Sequence, residues 1–172
     1  ETGTNALIEF VGEMQIVDGI EIPGKTDTPN KNPELMKLLG SRFIAHPPNM
    51  TIKVKVNDKS NPITKDLEDF EIFDEPYYCE FSDGIKILLE SRYTDDADAY
   101  VSSSWKEDIP RPQMYLHKVG KGSVLYLMLG HCRGKYDMRP FMDECPVDRG
   151  GWESEVFYEL LRRGIRWGIN KL

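Results

Sequence analysis

The stretch HKVGKGSVLYLMLGHCRGKYDMRP, residues 117–140, decides how this chain is read. Two apolar runs, 114–119 and 123–129, flank Gly120-Lys121-Gly122. Apolar runs on either side of a short glycine-containing turn predict a β-hairpin. The second run then gives way to a polar loop carrying His131, Cys132, Arg133 and Asp137. Ligands of open α/β sheets bind outside the carboxyl ends of strands, so this loop is a candidate pocket wall as well as a strand end. Adjacent residues of an extended chain point to opposite sides, which places His131 and Cys132 poorly for a nucleophile–base pair. Cys132 therefore reads as a small buried thiol.

Working outward, TIKVKV at 51–56 alternates so that Ile52, Val54 and Val56 share one face, the pattern of a half-exposed strand with its lysines in water. FEIFDEPYY (70–78) and IKILLE (85–90) read as extended, and MQIVDGIEI (14–22) as one short strand. Residues 5–11 resemble the last turns of an amphipathic helix, closed by Gly12. Asn32-Pro33-Glu34 is a helix start, with Asn32 as cap and Pro33 in the first turn, and the helix ends at Gly40. Residues 23–33 and 93–112 are polar connections rich in turn formers. Phe157, Leu160, Leu161, Ile165 and Ile169 recur at helical spacing and predict a closing helix over 152–172. Its RRGIR run is a solvated face near the helix end, and Trp152, Phe157, Tyr158 and Trp167 are packing residues. Strands and helices in this order imply a mixed α/β layer fold.

At 172 residues, 40% apolar and 30% charged, the chain has the composition of an ordinary globular protein, read as a single domain over 1–172. No apolar run reaches the roughly 18 residues of a membrane-spanning helix. A formal charge of −7 opposes phosphate backbones and anionic membranes, so neither nucleic acid nor membrane is an expected partner. A small neutral or cationic ligand fits better. Three cysteines without CxxC spacing signal neither a disulfide framework nor a thiolate zinc site. A cytoplasmic location is the simpler expectation. A secreted or periplasmic one stays open, because a leader could have been removed and Asn49-Met50-Thr51 matches a glycosylation acceptor.

Four blocks in order, KLLGSRFIAHPPN (37–49), NPITKDLEDFEIFDEPYY (61–78), HKVGKGSVLYLMLGH (117–131) and FYELLRRGIRWGI (157–169), carry a resemblance to the trehalose-utilisation, ThuA-like family. The resemblance implies a flavodoxin-like sandwich, similar to class I glutamine amidotransferases, with a mixed but mainly parallel sheet. It also implies a role in catabolism of trehalose and related disaccharides through 3-keto sugars made by a partner dehydrogenase, without the amidotransferase nucleophile. Two departures stand out. Family members carry βα units ahead of the segment that MQIVDGIEI matches, so the N-terminal units are expected to be shortened, absent or supplied by another subunit of a homo-oligomer. The strand-end histidine of a "G.H" pattern is missing at Gly19-Ile20-Glu21-Ile22, where Glu21 could stand in.

Within that frame His131 and Glu75 are the candidate catalytic pair. Imidazole titrates near neutral pH and suits acid/base work. In an extended DEPYY, Asp74, Pro76 and Tyr78 face one way and Glu75 and Tyr77 the other, so only one set can line a pocket. The resemblance favours Glu75. His46, fixed before Pro47-Pro48, joins Tyr77, Arg133 and Asp137 as candidate substrate-binding residues; a surface Arg133–Asp137 pair is the plainer alternative. His117, inside a strand, reads as structural. No cofactor is expected. A divalent metal on His46, His131 and Glu75 is the alternative, although no HxH or HExxH spacing supports it. The expected function is acid/base chemistry, by a hydrolase, lyase or isomerase, on a keto-disaccharide or related glycoside. The competing readings are a non-catalytic carbohydrate-binding or accessory domain, and a structural domain that completes a sheet only as an oligomer.

Overall fold

A computed structural model of the chain describes residues 8–17, 19–22, 24–140 and 142–172. Along them run β1 (Glu9–Val11), β2 (Gln15–Val17), β3 (Ile20–Ile22), β4 (Lys25–Asp27), α1 (Pro33–Leu39), β5 (Ser41–Ala45), β6 (Met50–Val56), β7 (Phe70–Asp74), β8 (Tyr78–Phe81), β9 (Lys86–Ser91), β10 (Arg111–Val119), β11 (Gly122–Leu127), a 3-10 turn at Gly150–Glu153 and α2 (Glu155–Gly168). The main sheet has the order β11-β10-β9-β6-β7. Three further ladders pair β1 with β4, β2 with β3 and β5 with β8.

This topology corrects the expected parallel, flavodoxin-like sandwich. Every ladder between these strands is antiparallel, and the main sheet curls into a half-barrel. The physical reason lies in the connections. A parallel pair needs a crossover of about a dozen residues or more, usually a helix. Between β5 and β11 the described residues contain no helix, so each strand reverses instead. The alternation of TIKVKV, with its lysines in water, is itself the pattern of an antiparallel sheet with one wet face, and it outweighs the direction carried over from the resemblance.

Two N-terminal expectations also change. MQIVDGIEI is two strands rather than one, since Gln15–Val17 pairs back on Ile20–Ile22. Residues 9–11 form β1 against β4 rather than helical turns, while residues 5–7 lie outside the described residues.

Other local signals hold. The Asn32 side chain caps α1 by accepting from Leu35 N at 3.3 Å, and the Gly40 N–H closes its end on Met36 O. On β6, Ile52, Val54 and Val56 are buried while Thr51, Lys53 and Lys55 are exposed. The β10–β11 hairpin runs in register from Met114↔Leu127 to Val119↔Gly122. His117 Nε2 donates to Lys37 O, 2.9 Å away, and the ring packs on Gly40, a structural position. Phe157 and Leu160 of α2 join Phe43, Ile52, Val54, Ile63, Tyr78 and Leu89 in the core. Each such side chain contributes about 1.5–3 kcal/mol on full burial. The last helix is not solvated along its whole basic run: Arg163 Nη1 donates to the carbonyls of Ile63 (3.1 Å) and Lys65 (2.6 Å), and its Nε to Glu159.

Candidate functional site

Antiparallel alternation places the carboxyl ends of β7, β9 and β11 on one rim of the main sheet. The residues just past β7 and β11 meet there. Asp74, the last residue of β7, is fully buried. Its Oδ2 accepts the N–H of Gly130 (2.7 Å), and its Oδ1 accepts those of His131 (3.0 Å) and Glu75 (2.8 Å). Burial pushes the Asp74 carboxyl above its ordinary range, while these three N–H groups and the nearby His131 pull it back down. Gly130 follows β11 at φ +102, and Trp152 Nε1 donates to its carbonyl at 2.8 Å.

This arrangement sets the Glu75 carboxylate between two imidazoles. Glu75 Oε1 lies 3.3 Å from His131 Nδ1, and Oε2 lies 3.5 Å from His46 Nδ1. The carboxylate is 7% exposed against 15% and 21% for the two rings, so it forms the floor of the group and the rings its walls. His46 Nδ1 also sits 2.9 Å from Pro47 O. A carbonyl can only accept, so this nitrogen carries the proton and, in the neutral ring, Nε2 holds the lone pair. His131 Nδ1 faces the same carboxylate and is also 3.4 Å from the Tyr77 hydroxyl.

Tyr77 is fixed at both ends of its residue, because Tyr93 Oη donates to its carbonyl at 2.6 Å and its ring meets Phe43 edge-on at 5.2 Å. Tyr100, which sequence reasoning did not single out, brings its ring to 5.1 Å from that of His46. It arrives from the irregular 93–110 connection, docked where Thr26 N donates to Ala99 O and Val101 N donates to Thr26 O. No local pattern marks it. Asp74 was also passed over, although its place beside Glu75 in DEPYY was visible.

The remaining candidates are held by other contacts. Arg133 forms a backbone bridge with Asp148, whose carboxylate bonds the Asn49 side chain. Asp137 is exposed, and its carboxylate accepts the Gly134 N–H at 2.6 Å, closing its own turn. Cys132 is exposed rather than buried, whereas Cys145 is buried and its thiol donates to Gly134 O at 3.2 Å. Glu21 is exposed on β3. Among the described residues, no group of three or more His, Cys, Asp or Glu side chains has the arrangement of a metal site. Among them, too, no helix is long and apolar enough to cross a membrane.

The family model for ThuA, described as trehalose utilisation, matches residues 23–145, a span that includes His46, Asp74, Glu75, Tyr77, Tyr100 and His131. The chain belongs to the ThuA family. Two solved ThuA-like proteins share its fold. One, from Parabacteroides merdae ATCC 43184, is 18% identical with a TM-score of 0.59, and the match covers 82% of this chain and 56% of that one. The other, from Bacteroides uniformis ATCC 8492, is 19% identical with a TM-score of 0.53, covering 83% and 54%. The ThuA chain described here thus spans little more than half the length of these relatives. No curated protein matches it.

Proposed function

We propose that this ThuA protein acts on a keto-disaccharide or related glycoside by acid/base chemistry centred on His131 and Glu75. The observation that carries the reading is the buried Glu75 carboxylate shared between the Nδ1 atoms of His131 and His46. Such a carboxylate orients each ring and stabilises the imidazolium formed when Nε2 takes a proton. A 3-keto sugar suits that chemistry. Its carbonyl acidifies the proton on C2 and places the glycosidic oxygen on C1 at the β position. A base that removes the C2 proton generates an enolate, whose electrons return to expel the C1 oxygen as that oxygen is protonated. No net oxidation or reduction occurs, so the step needs no redox cofactor.

In this reading His131 exchanges the proton with Glu75 as its partner. His46 and Tyr77 contact hydroxyls, Tyr100 extends the aromatic wall against a sugar face, and Arg133 and Asp137 take outer positions. The test is turnover of 3-keto-trehalose, with trehalose as the control lacking the ketone, by wild type, Glu75→Gln and His131→Ala. Loss of about 10²-fold or more in both variants supports the reading. Unchanged turnover in folded variants overturns it. Binding of the sugar by wild type without any turnover favours the carbohydrate-binding alternative, for which the Tyr77–His46–Tyr100 ring cluster is the supporting feature.

A further inference from the structure

We infer that Asp74 is the positioning residue of this site, a buried carboxylate that sets the backbone of Glu75 and His131 at once. The inference rests on the reading of those two side chains as the working pair, and it concerns how they come to face each other. They are far apart in sequence and leave the sheet at its two opposite edges, from β7 and from β11. Asp74 Oδ1 receives the N–H of both, at 2.8 and 3.0 Å, so a single oxygen fixes the origin of each side chain. Oδ2 holds the preceding Gly130 N–H at 2.7 Å, which prevents the strand-end loop from rotating about the first contact.

A third segment keeps the carboxylate from moving. A Cβ on Gly151 would stand 2.6 Å from Asp74 Oδ2, and one on Gly150 would stand 2.5 Å from His131 O, so the 3-10 turn passes directly over the group. Every acceptor site used here faces a backbone donor, and the carboxylate is fully buried. That is the design of a clamp rather than of a group that meets substrate. Asparagine has the same shape but only one acceptor oxygen. If that oxygen keeps Glu75 and His131, its NH₂ confronts the Gly130 N–H; if it keeps Gly130, the NH₂ confronts the other two.

The experiment is NMR on the full chain without ligand, reading the side-chain resonances of the three histidines and the carboxyl carbon of Asp74. His117, bonded to α1 far along the hairpin, is the internal control. In wild type the amides of Glu75, Gly130 and His131 should shift together as Asp74 titrates. The groups that must be assigned beside it are Glu75, His131 and, across the glycine turn, Asp148, which accepts the Gly150 N–H at 2.9 Å. In Asp74→Asn the His131 ring resonances should shift and its titration midpoint move by about half a pH unit or more, with the His117 ring resonances unchanged. Gly151→Ala, which displaces the carboxylate while keeping its charge, should move His131 in the same way.

Two results overturn the inference: amides of Gly130 and His131 indifferent to Asp74 in wild type, or a folded Asp74→Asn whose His131 and Glu75 signals stay in place. The wild-type titration decides even if both variants unfold. None of these readouts involves turnover, so the clamp can stand where the proposed reaction fails, and the reverse.

Discussion

Gly130 ties the fold to the site, and replacing it with alanine has a cost that follows from geometry. Its φ of +102 lies in a region that a residue bearing a Cβ adopts only under strain, at about 1–3 kcal/mol. The added Cβ would also fall 2.5 Å from Cε2 of Phe157, a ring only 2% exposed in the core. Overpacking of that kind costs about 1–3 kcal/mol. Gly130→Ala should therefore destabilise by about 2–6 kcal/mol, and at about 2–4 °C per kcal/mol for a chain of this size the midpoint falls by about 4–24 °C. Denaturant unfolding followed by tryptophan fluorescence reads this directly, since Trp152 bonds Gly130 O and meets the Phe157 ring at 4.9 Å. Combining Gly130→Ala with Phe157→Leu separates the two terms. The smaller side chain relieves the clash but not the backbone strain, so the pair should show favourable coupling of about 1–3 kcal/mol. A loss below about 1 kcal/mol for Gly130→Ala, or strict additivity of the pair, refutes the reasoning.

Three further outcomes are expected. Gly164→Ala should stabilise by about 0.5–1 kcal/mol through helix propensity, because its Cβ would meet only the Leu125 Cδ2 tip at 3.2 Å, beside a pocket of about 280 Å³ into which that leucine can turn; thermal denaturation showing a lower midpoint would contradict this. Leu160→Ala, at a position with no exposure, should cost about 2–5 kcal/mol in denaturant unfolding, and a loss under about 1 kcal/mol would mean that α2 does not anchor the core. Glu159, held down to about 2 by hydrogen bonds from Arg162 and then Arg163, binds fewer protons folded than unfolded, so its contribution is present above its ordinary value of 4.5 and is lost as pH falls toward 2. Glu159→Gln should flatten acid unfolding across that window, and curves that differ from wild type by a constant amount would refute the assignment.

Local chemistry was legible where a residue answers to its immediate neighbours. Asn32 and Pro33 announce α1, TIKVKV announces a half-buried strand, and Gly120-Lys121-Gly122 announces the hairpin. Direction was legible only weakly: the wet lysine face beside Val54 favours an antiparallel partner, while the parallel sheet came from the family resemblance rather than from any residue. Asp18-Gly19 within MQIVDGIEI is itself a hairpin signal, and treating the stretch as one strand overlooked it. Tyr100 had no local signature at all, because its place beside His46 depends on a bridge to Thr26, far along the chain.

The meeting of Glu75 with His131 depends on the curl of the sheet. In the order β11-β10-β9-β6-β7 the two residues follow strands at opposite edges, four strand spacings apart. At about 4.8 Å per spacing a flat sheet would separate those edges by about 19 Å. The hydrogen bonds from Gly130 and His131 to Asp74, at 2.7 and 3.0 Å, therefore require the sheet to curl and the residues after β11 to cross its open side. A flat parallel sheet of the same strand order would leave the same gap, so the curl rather than the strand direction brings the pair together. Here antiparallel alternation leaves only β7, β9 and β11 ending on one rim, and the curl brings the outer two together. The site thus exists only while the residues after β11 stay hydrogen-bonded to Asp74 across the open side of the half-barrel. Substitutions that loosen that contact should disorder the Glu75–His131 pair before they unfold the sheet.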